Sequence, residues 1–369
     1  MFVTNVPIFA TPTHMSPTPD STRVPSDALQ RFAVNLLGAA AVSPDDARLT
    51  AQALVWSDLR GRHPQGVSRL PNFIERVRRG LIRSPAELRW HDAGAAGAVL
   101  DAGDALGHVA GTAAMERAVA LARGAGIGVV AVRRSNLFGA AAYFCALAAD
   151  AGCLGIAATN AVPKVAPFGG VRPVFGTNPL AFGCPTHGGV PILVDLSTSA
   201  IAGSTARGLD EHGGRLPEGA ALNKEGIPTT DPRDLAQGTL LPAAGAKGFG
   251  LALMVEILCG ALAGAGTSHG VGSMYHTWDR AVDTGHFCLA IDLARFTAAD
   301  EFLQRIDGLL AAMRAAAPPS APGAVRFPGE IRGELAARYG REGIPLPADT
   351  ARALTALAAE LGVEPPWAP

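Results

Sequence analysis

Between Arg60 and Arg69 the chain gathers Arg60, Arg62, His63, Gln65 and Arg69 behind an apolar-periodic segment. Three guanidinium groups in so short a run make a poor core and a good carboxylate receptor, because the guanidinium fork matches the two oxygens of an organic acid. The same arginines would also serve as a solvated helix end. His63 is the one side chain in this run whose charge changes near neutral pH, which makes it a candidate proton donor. Pro64 favours an extended backbone at His63, and that would turn the imidazole to the same side as Gln65. A plain surface histidine satisfies the pattern too. Gln65 is neutral. Its amide can hydrogen-bond a developing alkoxide, as an oxyanion-hole group does, but it delivers no proton.

A second set of chemistry-bearing residues follows short apolar runs. Pro191-Ile192-Leu193-Val194-Asp195-Leu196-Ser197 reads as a strand that delivers Asp195 to a Ser-Thr-Ser turn, with a helix cap as the plainer account. Gly245-Ala246-Lys247-Gly248 opens a helix and offers backbone N–H groups and one ammonium to a phosphate. Thr159-Asn160, Gly176-Thr177-Asn178-Pro179 and Pro328-Gly329-Glu330 are turn sequences that need no ligand to explain them. No Gly-x-Gly-x-x-Gly joins a predicted strand to a helix. The nearest run, Gly124-Ala125-Gly126-Ile127-Gly128, has the wrong spacing and precedes a strand, so a Rossmann domain is not expected. Phosphate-loop and His-Glu-x-x-His signatures are missing, and His108, His187, His212 and His286 lack metal-ligand spacing. No metal site is expected.

Periodicity supplies the elements that must hold these residues. Leu29, Phe32 and Leu36 share a helical face after Ser26, and a second helix opens at Ser43-Pro44-Asp45-Asp46 with a capping hydroxyl, a first-turn proline and two carboxylates. Strands are predicted at 98–100, 127–132, 153–159, 180–182, 192–196 and 287–291, and helices over 109–122, 140–151 and 298–314. A proline-rich linker at 318–322 leads to a last pair of helices. The apolar stretch 248–265 carries Glu256 at its middle and reads as a buried core helix rather than a membrane span. The polar, Gly- and Pro-rich stretch 203–245 reads as a long loop, a lid or an interface arm. The expected organisation is a flexible arm over 1–25, a helical segment over 26–90, a sheet domain over 91–295, and a helical segment over 296–369 that packs back on the amino-terminal helices.

With 48% apolar and 17% charged residues in 369, the chain is expected to be compact. A net charge of -1 supplies no field to draw nucleic acid or an anionic membrane, so the expected partner is a small molecule or a second copy of the chain. Five scattered cysteines, odd in number and never in a Cys-x-x-Cys pair, suit reduced thiols in a cytoplasm.

Several of these runs, in order, resemble the malate/L-lactate dehydrogenase family: Leu59 to Leu70, Ser135-Asn136-Leu137-Phe138-Gly139, Gly176-Thr177-Asn178-Pro179 and Val194 to Ser199. The resemblance implies an α/β fold in which a non-Rossmann, mixed or antiparallel sheet domain binds NAD or NADP, beside a helical domain built from both chain ends. It implies hydride transfer to or from a small 2-oxo, 2-hydroxy or cyclic 2-imino acid, by a homodimer. On the same grounds Arg69 would hold the substrate carboxylate, Thr159 and Asn178 would face the pocket, and Asp195 would orient the reacting groups. Pro191 to Ser197, Ala246, Lys247, Gly329 and Glu330 would surround the cofactor. Two family imidazoles are replaced: Gln65 stands where the proton donor is expected, and Leu137 where the family has histidine after asparagine. A protonated imine would need no acid. The alternative is a member that keeps the pocket for non-redox work, such as lyase or cyclase chemistry.

Overall fold

The computed structural model describes residues 22–211, 213–321 and 323–367. Most of the arm expected over 1–25 lies outside the described residues, but its end forms strand β1 (Thr22–Val24). Helix α1 (Ser26–Ala39) buries Leu29, Phe32 and Leu36 as their spacing requires. Helix α2 (Pro44–Leu59) begins at Ser43, whose hydroxyl accepts the Asp46 N–H at 3.4 Å. Two 3-10 turns, His63–Gln65 and Val67–Arg69, lead into α3 (Leu70–Arg78). The sheet region then runs β2 (Arg89–Asp92), β3 (Gly97–Asp101), α4 (Gly107–Ala125), β4 (Ile127–Ser135), α5 (Ala141–Asp150), β5 (Cys153–Thr159), β6 (Leu180–Cys184) and β7 (Ile192–Leu196). After it come α6 (Gly203–Glu211), β8 (Ala221–Leu222), β9 (Pro228–Thr229), β10 (Thr239–Leu240), α7 (Ala246–Glu256) and β11 (Thr284–Asp292). Helix α8 (Ala299–Ala315), α9 (Glu330–Glu342), β12 (Ile344–Leu346) and α10 (Ala348–Leu361) complete the chain.

Seven strands form one sheet in the order β2-β3-β4-β11-β5-β6-β7. Its β3–β4 pair is parallel and the other pairs are antiparallel. The doubly wound parallel order of a Rossmann domain is thus replaced by a mixed sheet. Alanines at 110, 114, 118 and 148 let α4 and α5 settle closely on Val130, Val132, Ala157 and Cys288. A second core joins the chain ends: Val24, Leu29, Phe32, Leu36, Leu54, Phe73 and Ile74 pack with Tyr339, Ile344, Leu346, Leu354 and Leu357. β1 pairs antiparallel with β12 across this core. Both halves of the expected architecture, sheet domain and terminal-segment helical domain, are therefore present.

Three expectations need correction. The stretch 203–245 is not a structureless loop: it holds α6, a three-stranded sheet in the order β10-β8-β9 and a 3-10 turn. Ala206, Leu216, Ala221 and Leu240 build its small core with Val165 and Phe175, and they are too sparse among glycines and prolines to leave a period. Helix α8 does not join the terminal core. Its one buried residue is Leu310, and it is tied by the Asp307–His187 contact at 2.6 Å to the turn before β7. The apolar run after Lys247 is not fully buried either. It comprises α7 and a π-helical turn (Ile257–Leu262), and it exposes Leu251, Leu253, Met254, Ile257 and Leu262 by 38% to 58%.

Candidate active site

The arginine-rich loop is fixed from below by Asp58, which is 1% exposed at the end of α2. One Asp58 oxygen lies 2.9 Å from His63 Nδ1 and the other accepts the Val67 N–H at 2.8 Å. Burial pushes the Asp58 carboxyl up, and the contacts with His63 and the Val67 amide oppose it. A Cβ at Gly66 would stand 2.2 Å from that carboxylate, so the loop closes on Asp58 only because residue 66 has no side chain. His63 itself is not extended. Pro64 sits within a 3-10 turn, Gly66 N–H donates to His63 O at 3.0 Å, and residues two apart in such a turn do not share a face. The His63 ring therefore turns to Asp58 rather than lying alongside Gln65. Gln65 Oε1 is buried and has no hydrogen-bond partner among the described residues.

The same loop links two other parts of the site. Arg62 pairs with Asp195 Oδ2 at 2.7 Å and reaches the Asp195 carbonyl at 3.2 Å. Asp195 also accepts the Ala142 N–H at 3.2 Å. Its carboxyl is raised by burial, against the opposing charge of Arg62. Arg332 of α9 donates to Arg60 O at 3.0 Å. Arg69, 9% exposed, donates through Nε to Pro64 O at 2.6 Å. Within a few residues, then, the loop is clasped to strand β7 at one end and presents a buried guanidinium at the other. Burial first, and Arg207 second, hold the Arg69 guanidinium down to about 10.

The expected cofactor segments converge on β7. Residues Ile192 to Leu196 form the half-buried edge strand of the large sheet, following Pro191 and leading to Ser197. Leu193 N–H donates to Pro328 O at 2.8 Å, and Gly329, at φ 97°, lies so close that a Cβ there would stand 2.9 Å from Leu193 N. Past Ser197, Thr198 O accepts the Ala243 N–H at 2.9 Å, which sets the start of α7 against the end of β7. Ala246 and Lys247 are exposed in that first turn, and among the described residues no carboxylate pairs with the Lys247 ammonium. The Glu330 carboxylate is engaged within the protein. It pairs with Arg314 at 3.0 Å and accepts the Phe327 N–H at 3.1 Å, so it locks the turn.

Two expected substrate contacts fail for a plain reason. Thr159 is 4% exposed; its hydroxyl donates to Gly285 O at 2.9 Å and lies 2.8 Å from His286 Nδ1, inside the sheet. Asn178 is fully buried; it donates to Ala252 O at 3.1 Å and Glu256 Oε2 at 2.7 Å, and accepts the Ala161 N–H at 3.1 Å. Both side chains are saturated by protein. His286 and His108 are interior groups, lowered to about 3 and about 4 by burial.

Sequence reasoning missed Asp58, which looks like an ordinary helical residue, and Arg207, which lies in the stretch read as a long loop; the Arg69 and Arg207 guanidinium carbons lie 5.4 Å and 4.8 Å from the centre of the Tyr275 ring. The family model for malate/L-lactate dehydrogenase matches residues 24–355. The chain belongs to the malate/L-lactate dehydrogenase family. Among proteins of this family, it is 37% identical over 296 residues to a malate dehydrogenase of Pyrococcus abyssi, covering 78% of this chain and 81% of that one. It is 32% identical to the NAD(+) ureidoglycolate dehydrogenase of Escherichia coli, covering 88% and 92%. It is 37% identical to the NADP(+) (2R)-3-sulfolactate dehydrogenase of Chromohalobacter salexigens, covering 86% and 92%. The malate dehydrogenase structure from Pyrococcus horikoshii superposes with a TM-score of 0.87 at 31% identity, covering 95% of this chain and 98% of that one. The delta1-piperideine-2-carboxylate reductase of Pseudomonas syringae does so with 0.84 at 30% identity, covering 92% and 100%.

Proposed function

We propose that this family member is an oxidoreductase that moves hydride between NAD or NADP and a small 2-imino acid, with the acid's carboxylate on Arg69 and its imino N–H on Gln65. The observation that carries this reading is the buried, unpartnered Oε1 of Gln65. Such an acceptor costs about 1–3 kcal/mol while it lacks a donor. A protonated C=N brings that donor, whereas a 2-oxo acid brings only another acceptor. An iminium nitrogen already carries its proton, so the replacement of the family's proton-donating histidine by glutamine removes nothing this substrate needs. Leu137, packed against the helical core, supplies an apolar wall in place of the second imidazole.

A dinucleotide fits the residues around β7. The first turn of α7 and the Lys247 ammonium suit its phosphates, and the Gly329 turn sits on Leu193 where a side chain could not. The nicotinamide supplies the hydride, and the protein supplies binding, orientation and electrostatics. Asp195 works by fixing Arg62 and the start of α5, and so the reach of the loop that bears Gln65. The NAD(+) and NADP(+) in the relatives' names support either cofactor, and the piperideine-2-carboxylate reductase supports an imino acid. The non-redox alternative is not favoured, since these relatives are all dehydrogenases or reductases.

His63 favours a second reading. A ring nitrogen 2.9 Å from a buried carboxylate is the arrangement that orients an imidazole for proton transfer, and it would let the enzyme reduce a 2-oxo acid. The two readings part in one assay: NADH or NADPH oxidation, followed by absorbance, with a panel of cyclic imino acids and 2-oxo acids. The first expects imino acids to be turned over faster and His63→Gln, whose amide can keep a donor toward Asp58, to change their turnover little. The second expects 2-oxo acids to be preferred and His63→Gln to abolish their turnover. No oxidation with any substrate refutes both. The apolar face of α7 and its π-helical turn supports a homodimer, and five buried, free cysteines support a reducing, cytoplasmic setting. Among the described residues no helix is long and apolar enough to cross a membrane.

A further inference from the structure

Two buried polar atoms at this site lack a partner, and they are opposite in kind. Gln65 Oε1 only accepts, whereas the Tyr275 hydroxyl can donate; neither finds a hydrogen-bond partner among the described residues. Buried polar atoms of folded proteins are paired in the great majority of cases, so an orphaned donor next to an anion receptor calls for a ligand. The Arg69 guanidinium lies over the Tyr275 ring, its carbon 5.4 Å from the ring centre. Arg207, an exposed residue of α6, lies over the same ring at 4.8 Å. With two cations this near, a group that meets the hydroxyl is favoured when it is negative.

The phenol is placed rather than loose. Its turn is pinned to α3 by Arg76, a fully buried side chain that donates to Thr277 O at 2.8 Å and Arg280 O at 3.3 Å. Tyr275 N–H donates to Ser273 Oγ at 3.2 Å, and Tyr275 O accepts the Trp278 indole N–H at 2.9 Å. The Trp278 ring lies under the Arg79 guanidinium at 4.7 Å. Tyr275, like Leu137, packs against the terminal core that contains Phe73 and Met274. A ring held in this way cannot swing its hydroxyl toward a protein acceptor.

We infer that the Tyr275 hydroxyl is a substrate-binding group that donates to the carboxylate held by Arg69. The inference rests on the reading that Arg69 anchors this carboxylate. Arg69 spends Nε on Pro64 O, which leaves its terminal nitrogens for the substrate. A carboxylate accepts about four hydrogen bonds, so a third donor beside the guanidinium is used rather than wasted. One imino acid then satisfies both orphaned atoms: its N–H meets Gln65 and its carboxylate meets Tyr275.

Racemic proline and prolinamide test this, because both offer a ring nitrogen N–H to Gln65 and only proline carries a carboxylate. Calorimetry is run on the purified protein saturated with NADH or NADPH, in which neither compound can be oxidised, and proline is expected to bind more tightly. Tyr275→Phe is expected to weaken proline roughly tenfold to a hundredfold and prolinamide severalfold at most, the difference between a charged and a neutral acceptor. With cyclic imino acids as substrates the same variant should raise KM by that factor and leave kcat within about threefold. Its melting temperature should not fall; a fall would show the hydroxyl partnered inside the protein and overturn the inference. Proline binding unchanged in Tyr275→Phe, or an equal loss for both compounds, also overturns it, while weaker proline binding in Arg69→Gln keeps the Arg69 reading standing. Arg69→Gln without effect on proline, or no preference of the unaltered protein for proline, overturns that reading and the inference with it. A fall in kcat at unchanged KM would assign the hydroxyl to proton delivery, and a change in the KM of NADH or NADPH alone would assign it to the cofactor; either overturns the inference.

Discussion

Gln65→Met should make the protein more stable and less active at once. The glutamine Oε1 is buried without a partner, and the loop cannot shift to find one, because Gly66 already rests against the Asp58 carboxylate. Methionine has a similar length and no strong acceptor, so the substitution relieves a cost of about 1–3 kcal/mol. Unfolding entropy of about 2.1 cal/mol/K per residue scales to roughly 0.8 kcal/mol/K for a chain this long. The melting temperature should therefore rise by roughly 1–4 °C. The same change removes the acceptor for the imino N–H. A hydrogen bond to a charged group contributes about 1.5–3 kcal/mol, so kcat/KM for the imino acid should fall roughly tenfold to 150-fold. Differential scanning calorimetry and steady-state kinetics on one preparation read both quantities. A lower melting temperature with unchanged kcat/KM would refute the reasoning, since Oε1 would then be satisfied within the protein and idle toward substrate.

Restoring both imidazoles, Gln65→His with Leu137→His, should raise 2-oxo acid reduction by about a hundredfold or more, measured as NAD(P)H oxidation; no gain would mean that the surrounding frame has also diverged. Arg62→Met leaves the nearly buried Asp195 carboxylate without its cation and should cost about 3 kcal/mol in urea unfolding while weakening dinucleotide binding. Burial lowers His108 and His286 from 6.5 to about 4 and about 3, so the unfolded chain takes up protons that the folded chain refuses. Their contribution is complete above about pH 6.5 and is lost as the pH falls toward 4 and 3, and His108→Leu should remove roughly 3 kcal/mol of that acid sensitivity, read from urea midpoints across this window. Ile257→Glu with Leu262→Glu places charges on the exposed apolar turn and should halve the mass seen by light scattering.

The elements that position the site were legible wherever one face is buried. Leu29, Phe32 and Leu36 mark α1 because they all enter the terminal core, and the run from Ile127 to Val132 marks a strand because its neighbours cover it. The 203–245 segment was not legible, since its strands are two residues long and its core residues depend on Val165 and Phe175 from far upstream. The composition of the Arg60–Arg69 run suggested a carboxylate receptor, and only the resemblance singled out Arg69. That composition could not reveal Arg207 or Tyr275, which come from separate stretches and meet only through tertiary packing. For His63 the extended preference before proline lost to a 3-10 turn that Asp58 secures from both sides. Asn178 lies outside the strands at φ 33°, as its turn sequence suggests, whereas Thr159 is the last residue of β5, and only the resemblance carried both into the pocket.

This geometry also supports the proposal that residue 65 can change while the frame around it holds. Asp58 fixes the loop through the Val67 amide and the His63 ring, Arg62 fixes it to Asp195, and Arg69 fixes it to the Pro64 carbonyl. None of these contacts uses the side chain of residue 65. On the proposed reading, exchange of imidazole for amide there alters the protons available to a substrate while leaving Arg69 and β7 in register. The side chain at residue 65 can therefore diverge separately from the fold, and on the same reading the substrate preference of this chain should track that residue more closely than it tracks overall similarity to any one relative.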